Sequence, residues 1–93
     1  MAVLKVTRLK KIFGFAIKVT VLVDDEELGK LKPGESLTKE LKPGTYKVAL
    51  RTPEKIVTEE IEIKDSTKSV DITLQLKLGL ATGAPKVVEI KYN

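Results

Sequence analysis

A chain of 93 residues holds one domain and a single core, so residues 1–93 are read as one unit. Charged residues make up 32% and hydrophobic ones 42%, the composition of a folded domain, and 17 basic against 13 acidic residues leave a net charge of +4. Cysteine, histidine and tryptophan are absent, which excludes disulfides, thiolate metal centres, cysteine nucleophiles and imidazole bases together.

The recurring period is two, the mark of half-buried strands. A first short run covers residues 4–9. Lys10-Lys11 and the apolar residues 12–17 then imitate a signal peptide, but Lys18 breaks the run and no small-residue cleavage site precedes Asp24. Ile17, Val19, Val21 and Val23 alternate with Lys18, Thr20 and Leu22, and the acidic residues 24–27 read as a reversal before Leu28-Gly29. Pro33-Gly34 and Pro43-Gly44 flank a run at 36–41 and read as tight type II reversals, with proline presetting φ and glycine taking the positive φ after it. Further strands are expected at 46–50, 57–63 and 70–78, joined by polar connections at 52–55 and 64–68. The small-residue loop 79–85 precedes a last run at 86–92. No helical stripe of ten residues occurs. Seven or eight strands at this spacing predict an all-β, two-sheet antiparallel sandwich of immunoglobulin-like type.

The middle of the chain resembles a family. Val21-Leu-Val-Asp24-Asp25, Leu28-Gly29 and Leu41-Lys-Pro-Gly-Thr-Tyr-Lys-Val48 are similar to the bacterial PEGA-type β-sandwich domains. Residues 61–74 match the paired strands that close such domains, so the resemblance covers about 17–76. Asp25 stands where the family has glycine after the aspartate, and no Gly-Tyr comes after the Tyr46 strand. The resemblance implies a small accessory module, often at the cell envelope, with no catalytic residues assigned.

The residues themselves supply no catalytic constellation. Ser36, Ser66 and Ser69 lie in turns or strand starts, with only lysines or carboxylates to activate them. The acidic residues 24–27 lack the alternating spacing of a loop that wraps calcium, so no metal is expected. Gly79 and Gly83 lack the Gly-Lys-Ser/Thr ending of a phosphate loop, so no cofactor is expected either.

Recognition remains. Ile12, Phe13 and Phe15 form a candidate apolar docking segment, and Arg8, Lys10, Lys11 and Lys18 a candidate basic patch beside it. The expected function is a non-enzymatic interaction module, bacterial by the resemblance, that presents an edge strand or end loops to a protein or cell-envelope partner. The alternatives are a weak binder of polyanions through the basic stretch, or a spacer or engineered domain without a ligand. Nucleic acid is disfavoured, because lysine outnumbers arginine and aromatics are few. No apolar run reaches transmembrane length, and the chain as it stands reads as cytoplasmic, with the cell envelope open to it as part of a longer exported protein.

Overall fold

The structure is a computed structural model, and it describes residues 1–10, 17–53, 55–78 and 83–93. Eight strands form: β1 (Ala2–Arg8), β2 (Val19–Val23), β3 (Glu26–Leu31), β4 (Ser36–Leu41), β5 (Gly44–Arg51), β6 (Ile56–Ile63), β7 (Ser69–Leu78) and β8 (Gly83–Tyr92). They divide into two four-stranded sheets, ordered β4-β1-β7-β8 and β3-β2-β5-β6. Leu4, Val6, Ile72 and Leu74 of the first sheet close on Val19, Val21, Leu50 and Ile61 of the second, all essentially buried. The all-β two-sheet architecture expected from the period of two is present.

Three features differ from the sequence reading. Residues 26–31, expected as the end of a turn and an unpatterned stretch behind it, are strand β3; Gly29 and a bulge beside Val21 and Leu22 erase the alternation that would have marked it. Residues 83–85, read as loop, open β8, where Pro85 is tolerated because β8 is an edge. The sandwich is also not wholly antiparallel, since β1 and β7 pair in parallel. Every connection reverses the chain, so all odd-numbered strands run one way. Two odd strands brought side by side must then be parallel.

The two Pro-Gly corners turn out to be crossings between sheets, joining β3 to β4 and β4 to β5. The first is a type II turn: Gly34 has φ +82°, and Glu35 N donates to Lys32 O at 3.0 Å. At the second, Gly44 already belongs to β5 and pairs with Ile63, and the Tyr46 hydroxyl donates to Lys42 O at 2.6 Å. The tight hairpin lies instead at Asp24-Asp25, where φ is +48° and +70°, the two-residue geometry that suits the strand twist. Asp24 Oδ1 accepts from Lys47 N at 2.8 Å, and Asp25 meets Lys47 Nζ at 3.2 Å. The acidic run thus holds a turn against β5.

Arg8 completes the inward stripe of β1 after Ala2, Leu4 and Val6, and only 1% of its surface is exposed. Its Nη1 donates to Ile17 O at 2.6 Å and to Leu31 O at 2.9 Å. Its own carbonyl accepts from Gly34 N and its amide donates to Glu35 O, both at 2.9 Å. Burial lowers the guanidinium pKa from its ordinary value; arginine starts so high that it remains charged at neutral pH.

These contacts set two stability outcomes. Arg8→Met leaves two interior carbonyls without their charged donor and costs about 2–3 kcal/mol. In a domain of this size that lowers the melting temperature by roughly 10 °C or more; a fall of a degree or two would remove Arg8 from this role. Asp25→Gly relieves a left-handed position at the loss of one exposed ion pair, and raises stability by about 0.5–1 kcal/mol in urea unfolding. A lower midpoint would mean that the Asp25–Lys47 contact outweighs the backbone strain.

Candidate anion-binding cleft

Because every connection reverses the chain, the C-terminal ends of β1, β3, β5 and β7 gather at one end of a molecule 42 Å long. The sequence places Lys10, Lys18, Lys30, Lys32, Arg51 and Lys55 at or beside those ends. Of the carboxylates the sequence puts in these connections, Glu35 is described, and its Oε1 accepts from Lys32 N at 2.7 Å; Glu54 of the β5–β6 connection lies outside the described residues. The hairpin carrying Asp24 and Asp25 lies at the opposite end. The opposite end also carries Lys42, Lys64 and Lys68, balanced there by Asp24, Asp25 and Asp65.

Within the basic end is a cleft of about 440 Å³, lined by Ile17, Lys18, Thr20, Lys30, Arg51, Thr52 and Pro53. Its centre is set by strand register: Thr20 of β2 lies opposite Lys30 on β3 and opposite Arg51 on β5. Directly opposed residues hold their side chains on the same face within about 5 Å at Cβ, so Lys30, Thr20 and Arg51 form one row across three strands. Val19 and Val21 fill the core, which sends Thr20 to the outer face. Lys18 flanks the row just before β2 begins.

The far wall is the β5–β6 turn. Thr52 N donates to Lys55 O at 2.8 Å, and Lys55 N donates to Thr52 Oγ1 at 3.2 Å, which closes the hairpin with Pro53 inside it. Arg51, Thr52 and Pro53 also border a neighbouring depression of about 240 Å³, which among the described residues is lined further by Lys55 and the exposed Ile56.

The cations of this row are uncommitted. Lys18, Lys30 and Arg51 make no ion pair or side-chain hydrogen bond among the described residues. Thr20 is only 6% exposed, and its hydroxyl makes no hydrogen bond among the described residues. Thr20 lines the cleft, and because no fully buried side-chain atom among the described residues lacks a partner, its unbonded hydroxyl is open to solvent.

The expected basic patch separates in three dimensions. Lys18 lines the cleft, and Lys10 is exposed, its side chain lying against Gly34. Arg8 is not a surface charge at all, because the alternation of β1 turns it inward with Leu4 and Val6. Lys11, Ile12, Phe13 and Phe15 lie outside the described residues. Sequence reading missed Lys30 and Arg51 as site residues. The signal for Arg51 was its place in the alternation of β5, but only register joins it to Thr20 and Lys30.

No family model, curated protein or solved structure matches this chain. Among the described residues the cleft offers three positive charges, the Thr20 hydroxyl and an apolar rim of Ile17 and Pro53. Among the described residues no group of three histidine, cysteine or acidic side chains is placed to hold a metal ion. No helix of the described residues is long and apolar enough to cross a membrane.

The cleft predicts an asymmetry between two substitutions. Arg51→Ala and Lys39→Ala each remove one positive charge; Lys39 lies on β4, in the other sheet, and does not line the cleft. Polyglutamate, monitored by amide shifts in a labelled sample, loses affinity about tenfold with the first and less than twofold with the second. Equal losses would reduce the cleft to one portion of a diffuse field.

Proposed function

We propose that this chain is a non-enzymatic interaction module that docks an acidic surface of a protein or cell-envelope partner at its basic end. The observation that carries the reading is the row of Lys30, Thr20 and Arg51, joined by Lys18, in which three cations face one cleft without internal partners among the described residues. Convergence from separate strands gives this row a fixed geometry that a run of lysines along one strand lacks. The resemblance of residues 17–76 to PEGA-type domains, bacterial accessory modules, supports the same reading.

Of the two presentations open to such a sandwich, an end or an edge, the end is favoured. The first sheet guards both its edges: β4 turns Lys39 inward opposite Leu4, and β8 carries a bulge, both of which hinder strand addition.

The test is a titration of the labelled domain with polyglutamate at rising salt. Shifts centre on Lys18, Thr20, Lys30 and Arg51, and affinity falls several-fold between low and physiological ionic strength. The double substitution Lys30→Glu, Arg51→Glu abolishes them while the cooperative melt survives. Binding that ignores salt, or that survives this charge reversal, overturns the proposal.

A further inference from the structure

Resting on that reading, we infer that the unit recognised in the cleft is a tetrahedral anionic ester, a phosphate or sulfate monoester, rather than a carboxylate. The number and direction of the donors separate the two. A carboxylate presents two oxygens in one plane, and the planar fork of Arg51 satisfies both alone. That would leave Lys18, Lys30 and the Thr20 hydroxyl unused in a cleft they line together. A phosphate monoester presents three terminal oxygens in a tripod and carries a charge of about −1.5 to −2. Arg51 approaches from β5, Lys30 from β3 on the other side of β2, and Thr20 from the floor between them. Lys18 supplies a further positive charge from the chain entering β2.

The Thr20 hydroxyl is the independent sign. It is 6% exposed and unpartnered among the described residues, and it lines the cleft. Water satisfies this hydroxyl in the open site, and an anion with a third oxygen can replace that water without leaving a donor unpaired. The neighbouring depression over Pro53 and Ile56 gives the body of the ester an apolar wall, so an aryl or alkyl monoester binds more tightly than the bare anion.

The experiment compares inorganic phosphate, sulfate, phenyl phosphate and acetate at matched ionic strength, read by amide shifts of the full chain. Phosphate and sulfate saturate the shifts of Lys18, Thr20, Lys30, Arg51 and Thr52 at least fivefold more tightly than acetate, and phenyl phosphate exceeds both. Thr20→Val leaves the melting temperature within a few degrees and weakens sulfate about fivefold; Arg51→Lys, which keeps the charge but loses the fork, does the same. The chain has no histidine, so pH sorts the ligands. Phenyl phosphate affinity falls as pH drops through about 6, where the monoester's second proton binds, and sulfate affinity stays level across the same range. Acetate binding as tightly as sulfate, unchanged affinity in Thr20→Val, or shifts scattered over Lys39, Lys64 and Lys86 overturns the inference. If polyglutamate still binds at the cleft in that case, the ester specificity falls and the interaction module stands. If polyglutamate fails as well, both fall.

Discussion

The guanidinium of Arg8 ties the two sheets together at the end where the cleft is built. It rises from β1 in one sheet and donates to the carbonyls of Ile17 and Leu31, which belong to the layer opposite. Each carbonyl lies one residue from a cleft lysine, Ile17 beside Lys18 and Leu31 beside Lys30. A buried cation therefore fixes the backbone from which two exposed cations project. Its charge, held in a medium of lower dielectric than water, also adds to the positive potential of that end. The packing of the two sheets and the geometry of the cleft are coupled through one side chain.

At the same end the candidate site is built on strands. Three adjacent strands supply one residue each to a row, and the hydrogen-bonded ladder holds their spacing. The Thr52–Lys55 turn borders the row and is closed by short hydrogen bonds of its own. Such a row is preorganised, and a ligand pays little conformational entropy to order it beyond the ends of two lysines and an arginine.

Charge segregation is a consequence of topology. Strict reversal at every connection sends alternate connections to opposite ends, so the acidic hairpin after β2 is held far from the lysines around β1, β3 and β5. The net charge of +4 understates the field at the basic end for this reason.

Period-two alternation by itself determined that this chain is all-β and forms two layers, because a strand with one apolar face must bury it against another. The same alternation in Leu4, Val6 and Arg8 carried the inward placement of Arg8, although a charge at the end of an apolar stripe reads more readily as part of a surface patch. Strand β3 was hidden, since Gly29 and a bulge interrupt the period at the positions where a pattern is needed, and the roles of the two Pro-Gly corners were not local properties. Only the tertiary structure decided which strands are neighbours. That pairing makes β1 and β7 parallel and brings Lys30 and Arg51 to either side of Thr20. Side-chain direction is written in the near sequence, but cross-strand register is fixed by how the whole core closes, and the candidate site is made of register.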